Sequence, residues 1–232
     1  MIKIYPYEKL GHANHGWLNA RHHFSFASYY NKNRMHFGVL RAINYAVIAP
    51  HSGFDTHPHQ DMEIITYVRK GAISHKDSHG NEGKTQAGDV QVMSAGSGIR
   101  HSEFNHEDEE TNLYQIWILP NKAGVKPRWD AKKFPKELVK DSLPLLVSGD
   151  EKDDALFIHQ DAQIYGGNLN KGTKINQKIN NQVYLLVSKG EIEILGETLK
   201  KGDGAEITDE KNIAILAKED AEILVIDVPN LN

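Results

Sequence analysis

From Gly38 onward the chain never runs far before a turn interrupts it, and that rhythm restricts the fold more than any other feature. "GVLRAINYAVIA", "MEIITYV", "GAISHKDS", "DVQVMSA" and "NLYQIWIL" have strand character. They are separated by "PHSG", "RKG", "HGNEGKTQAGD", "GSGIRHS" and an acidic loop around "NHEDEETN", all rich in turn-forming residues. Short strands at this spacing, with no amphipathic helical pattern between them, predict an all-β sandwich or barrel. The acidic loop, Glu107 to Glu110, reads as a solvated hairpin tip.

The second half repeats the rhythm in "QVYLLVSK", "GEIEILG", "GAEITD", "NIAILAK" and "AEILVIDV". Its Glu191–Ile194 run alternates with a period of two, the mark of a strand wet on one face and buried on the other. Two phrases recur in the same order: "VRKG" at 68–71 with "VSKG" at 187–190, and Gly88-Asp89 with Gly202-Asp203. The halves therefore read as duplicated β-barrels. Four of the eight prolines fall between Pro120 and Pro144, and "WDAKKFPKELVK" between them predicts one short helix in a surface connector. The expected units are residues 1–130 and residues 131–232.

A chain of 232 residues can bury one large core or two ordinary ones. It has no cysteine, which removes disulfides, thiol catalysis and thiolate metal sites together. A net charge of −4 offers no general attraction for nucleic acid or an anionic membrane. The apolar runs are too short to span a bilayer, and "MIKIYPYEKLGH" lacks a signal-peptide core. The expectation is a cytoplasmic protein. Histidine is the unusual residue: 12 of 13 lie at or before His106, so the first half is where chemistry is expected.

Within it, "HPHQDMEIITYV" opens a strand with His57 and His59 on either side of Pro58. Residues two apart on a strand share a face with Cα atoms about 6.6 Å apart, so both imidazoles can aim at one point. Pro58 removes a donor on the other face, tolerable at a strand start or edge. His101 and Glu103 repeat the spacing 44 residues later. Three imidazoles and one carboxylate form a mixed N/O set suited to one divalent transition metal. Octahedral iron(II) with open positions is favoured, and Mn, Co, Ni, Cu or Zn are also compatible. By strand parity Glu63 shares the face of His57 and His59, so geometry alone leaves it available as a carboxylate ligand.

"HPHQDMEIITYVRKG" and "GDVQVMSAGSGIRHSEFN", the latter with Asn105 four residues after His101, resemble the two metal-binding cupin motifs of pirin-like proteins. The leader "GHANHGWLNARHHFSFASYYNKNRMHFGVLRAIN" and "HKDSHGN" at 75–81 are similar to bacterial pirins. The likeness is strong over residues 10–130 and diffuse beyond. It implies a bicupin, two tandem cupin β-barrels (double-stranded β-helices) of which only the first carries metal. It implies His57, His59, His101 and Glu103 as ligands. The i+2 spacing from His101 supports Glu103 over Glu63, leaving Glu63 a supporting or buried-polar role.

The resemblance also implies quercetin 2,3-dioxygenase activity on a flavonol and O2; in that reading Glu103, loosely ligated, can take the flavonol hydroxyl proton as base. The alternative it implies is a non-catalytic, metal-binding regulator or redox sensor, since the mammalian relative is a nuclear transcriptional cofactor. No direct nucleic-acid or membrane contact is expected, and the protein is expected to be a monomer. His12, Trp17, His22 and His23 of the leader are read as holding it against the barrel. Tyr45 and Ala46 stand where relatives usually carry two acidic residues. Carrying the repeat into the second half places Asn176, Lys178, Ile215 and Ala217 at the ligand positions, so the second barrel should hold no metal.

Overall fold

The computed structural model describes residues 1–134 and 136–231. Its strands form two pairs of facing sheets. In the first pair a seven-stranded sheet runs in the order Arg128–Lys132, Val90–Ser94, Glu63–Lys70, Thr111–Ile118, Leu40–Ile48, Leu18–His22, Gly11–Asn14. It faces a four-stranded sheet ordered Ser52–His59, Ile99–Asn105, Ala72–Asp77, Glu82–Gln86. The second pair repeats the plan. Its four-stranded sheet, Lys174–Lys178, Asn212–Ala217, Glu191–Ile194, Glu197–Lys200, has the same order of equivalent strands. The two tandem cupin units expected from the sequence are present, each as a jelly-roll of two facing sheets rather than a closed barrel.

The recurring Lys-Gly phrase has a structural reason. Gly71 and Gly190 each follow a long strand at positive φ (71° and 75°), a conformation that glycine adopts without penalty. A Cβ on Gly190 would also lie 2.3 Å from the Asp220 carbonyl oxygen. The same tight turn is thus built twice from the same residue.

The seven-stranded sheets pack back to back. Ile65, Tyr67, Tyr114, Ile116 and Ile118 of the first half share one buried cluster with Tyr184, Leu186, Leu224, Ile226 and Val228 of the second. The intervening residues of the first sheet face its own four-stranded partner. Polar contacts cross the same interface: Tyr67 Oη donates to Glu222 Oε1 (2.5 Å), and Arg69 pairs with Glu222. His23 lies 3.0 Å from Tyr184 Oη, and burial, then the Arg34 charge, push its pKa down to about 3. This leader histidine is a neutral packing group.

Three sequence expectations change. The helix expected in residues 129–140 is replaced at its start by the strand Arg128–Lys132, paired with Val90–Ser94; Pro135 lies outside the described residues. The edge of the first sheet satisfies this backbone, which overrides local helix propensity. The only helical turn among the described residues is the 3-10 turn Tyr7–Lys9. The boundary expected at residue 130 falls inside that strand, while Ile2–Tyr5 pairs with Gly204–Ile207 of the second sheet pair. Finally, Asn176 and Lys178 are exposed, and Ile175 and Gln177 point inward instead. A one-residue slip exchanges the faces of a strand. Ile215 and Ala217 do face inward. Among the described residues no helix is long and apolar enough to cross a membrane.

Candidate metal centre

Strand Ser52–His59 pairs antiparallel with Ile99–Asn105, setting His57 directly opposite His101. His59, two residues on, opposes Ile99 and turns to the same face. One ring nitrogen from each of His57, His59 and His101 lies within 4.8 Å of the other two. Ring centroids are separated by 4.8 Å (57 to 59), 4.5 Å (57 to 101) and 5.0 Å (59 to 101).

The donor set fits a divalent cation. His57 Nδ1 donates to the Asp55 carbonyl at 2.7 Å, so a neutral His57 presents a lone pair on Nε2. That nitrogen lies 3.1 Å from His101 Nε2. Burial, then the charges of His57, His59 and His75, push the His101 pKa down to about 2. Burial followed by repulsion from His57 takes His59 down to about 4. These rings are neutral at physiological pH, the form in which imidazole binds a metal.

Glu103 is 2% exposed and points to the same interior, although a bulge separates it from His101 in the pairing with Ser52–His59. It lies outside the three-histidine group but shares a cavity wall with His57 and His59. Oε1 accepts from Gln91 Nε2 (2.9 Å) and Thr66 Oγ1 (3.3 Å), and Oε2 accepts from Gln115 Nε2 (2.7 Å). A carboxylate offers about four lone-pair positions, so these donors leave one on Oε2. Burial raises the Glu103 pKa, against the lowering effects of His75 and His57 and of the hydrogen bonds from Thr66 and Gln115.

Glu63 is elsewhere. It sits on the face that carries Ile65 and Tyr67 toward the second half, and accepts from Ser94 Oγ (2.7 Å). The parity that linked it to His57 and His59 does not survive the turn at Gln60–Met62, because the two strands belong to different sheets.

The cavity, of about 230 Å³, has walls of Leu18, Ala20, Leu113 and Trp117, with its polar groups provided mainly by His57, His59, Glu103 and Gln115. At one side His22 and Asn44 are hydrogen-bonded (2.7 Å) and both line it. Ala46 also contributes to the wall, so an acidic residue is absent from an apolar surface there. Tyr45 points away and packs on Tyr114.

Sequence reasoning missed the residues that support these groups: Thr66, Gln91 and Gln115 around Glu103, and His75 with Asp77 behind His101. A signal existed for the first three. Each is a polar residue at an inward position of an otherwise apolar strand.

Residues 4–118 match the family described as Pirin, and residues 145–228 the family described as the quercetinase C-terminal cupin domain. The chain is 51% identical over 230 residues to a pirin-like protein of Caulobacter vibrioides, covering 98% of this chain and 99% of the relative. It is 44% identical over 232 residues to the quercetin 2,3-dioxygenase of Escherichia coli K12, covering 99% of each. The crystal structure of the bacterial pirin of Escherichia coli in complex with nickel(II) superposes with a TM-score of 0.93 at 44% identity and full coverage of both chains. With similarity running the whole length of both cupin units, and the three-histidine group found among the described residues lying in the first, the chain belongs to the pirin family.

Proposed function

We propose that this protein is a metal-dependent dioxygenase that cleaves a flavonol such as quercetin with O2. One divalent metal, iron(II) favoured, is held by His57, His59, His101 and Glu103. The observation that carries the reading is the convergence of the His57, His59 and His101 ring nitrogens, with buried Glu103 sharing a wall of an otherwise apolar cavity with His57 and His59. The name of the Escherichia coli relative supports the substrate class.

A divalent metal bound there supplies Lewis acidity, lowering the pKa of a ligated hydroxyl. The protein's own groups do the rest. Leu18, Ala20, Ala46, Leu113 and Trp117 receive the aromatic rings and exclude water. Glu103, only loosely ligated, has a single lone pair left on Oε2, which serves as ligand until a flavonol hydroxyl is present and then accepts that hydroxyl's proton. Gln115 holds that oxygen and is itself held by Trp117 Nε1, which donates to Gln115 Oε1 at 3.1 Å. No nucleophilic side chain is required. One flavonol and one O2 yield one depside and one carbon monoxide, which balances the atoms.

The test is quercetin-dependent O2 uptake by full-length protein loaded in turn with Fe, Mn, Co, Ni and Cu, normalised to bound metal. Turnover with at least one metal is expected. Absence of turnover with all five overturns the enzyme reading and favours the metal-binding regulator.

A further inference from the structure

Behind His101 stands an imidazole that the proposed ligand set does not use. Strand Ala72–Asp77 pairs with Ile99–Asn105, placing His75 opposite Glu103 and Asp77 opposite His101. The side chains of His75 and Asp77 are fully buried. His75 Nδ1 lies 3.3 Å from His101 Nδ1, and His75 Nε2 lies 2.9 Å from Asp77 Oδ2. Trp129 stacks on the far face of this system, its ring 10° from the plane of His75 at a centroid distance of 5.0 Å. The indole reaches that position over Gly83, where a Cβ would lie 2.3 Å from Trp129 Cη2.

The hydrogens in this chain follow from chemistry. Asp77 Oδ1 accepts the backbone N–H groups of His79 (2.9 Å) and Asn81 (3.1 Å), and Oδ2 accepts Asn81 Nδ2 (2.9 Å). Surrounded by donors, Asp77 is a carboxylate and can only accept, so His75 Nε2 carries a hydrogen. With that hydrogen on Nε2, the neutral form of His75 has no second N–H. Its Nδ1 is therefore an acceptor, and the 3.3 Å contact is His101 Nδ1–H donating to it. His101 is left with a bare lone pair on Nε2, the nitrogen that faces His57.

We propose that Asp77 and His75 are positioning residues that lock His101 in its Nδ1–H tautomer and so present the Nε2 lone pair to the metal. This rests on the reading of His101 as a ligand. Carboxylate and carbonyl partners commonly hold metal-bound histidines in this manner; here an imidazole is interposed, carrying the preference of Asp77 one ring further.

The test compares two variants of the full chain by nickel(II) titration. His75→Phe keeps a ring against Trp129 but offers His101 no acceptor, and should weaken nickel binding by about 10- to 100-fold. His75→Gln can turn its carbonyl to His101 and its amide to Asp77, and should stay within about threefold of wild type, because it restores the same hydrogen bonds. A packing role predicts the opposite ranking, so equal or tighter binding by His75→Phe than by His75→Gln overturns the proposal.

A second measurement needs no variant. In 15N-histidine NMR of the zinc-loaded wild type, His75 should be protonated at Nε2 and His101 at Nδ1; either ring in the other tautomer refutes the relay even if His75→Phe fails to fold. His101→Ala serves as the control. Full metal retention in that variant overturns the ligand reading itself, an outcome distinct from failure of the relay.

Discussion

Replacing Glu63 by glutamine tests the choice of Glu103 over Glu63 as the carboxylate of the site. Glu63 is 1% exposed and accepts a hydrogen bond from Ser94. Burial raises its pKa from the ordinary 4.5 to about 6, against the lowering effects of Ser94, the backbone N–H of His159 and the charge of Arg128. A folded-state pKa above the unfolded value means that the native protein binds this proton more tightly. The associated stability is fully present below pH 4.5 and is lost as pH rises through 6. The gap corresponds to about 2 kcal/mol, at roughly 1.4 kcal/mol per pH unit. Glu63→Gln removes the titration. Urea unfolding of both proteins between pH 4.5 and 7.5 should therefore show their stability difference moving by about 2 kcal/mol in favour of the variant as pH rises. Any constant cost of placing the amide beside Ser94 leaves that slope untouched. Since Glu63 faces the second half, the variant should retain its metal. A pH-independent difference would refute the electrostatic argument, and loss of metal from the folded variant would return Glu63 to the ligand set.

Other outcomes follow from the centre itself. His57→Ala and His101→Ala should each empty the site, leaving far less than the one metal per chain that elemental analysis should find in wild type. Glu103→Gln should bind metal better than either of these, yet lose turnover by on the order of a hundredfold in O2-uptake assays normalised to metal; a wild-type rate would show that the base lies elsewhere. Lys178→Ala on the exposed face and Gln177→Ala on the inward face of the second half should both leave metal content and turnover near wild type. A large activity loss in either folded variant would show that the second half takes part in the reaction.

The sequence made legible what depends on local periodicity. Alternation located strands such as Val90–Ser94 and Glu191–Ile194, and i, i+2 spacing brought His57 and His59 to one face, where His101 meets them. Other features depend on which strand lies alongside. Ile2–Tyr5 finds its partner some 200 residues away at Gly204–Ile207, and no local pattern marks that pairing. Trp129 lay in a segment with helical character, but the open edge at Val90–Ser94 and burial of its ring on His75 make the segment a strand. Glu63 was misplaced because parity counts residues through a turn as if the sheet continued. His75 looked like one histidine among many, since its role exists only once two strands are in register.

That register also bears on why the three-histidine group found among the described residues lies in the first half. Thr66 pairs across the sheet with Gln91 on one side and Gln115 on the other, and all three donate to Glu103. The repeat carries Thr66 to Leu185, which pairs with Ala205 and Val225. Glu103 itself becomes Ala217, and all four replacements belong to the apolar core of the second half. The exchange is complete, as electrostatics requires. A carboxylate buried without its donors would cost several kcal/mol, and amide donors left without the carboxylate would be orphaned in their turn. An intermediate with Glu103 but only one or two of its donors is poorly stable, whereas the apolar set gains about 1.5–3 kcal/mol for each buried leucine or valine. The carboxylate and its three donors therefore behave as one unit of the fold, kept whole beside the histidines and replaced whole in the second half.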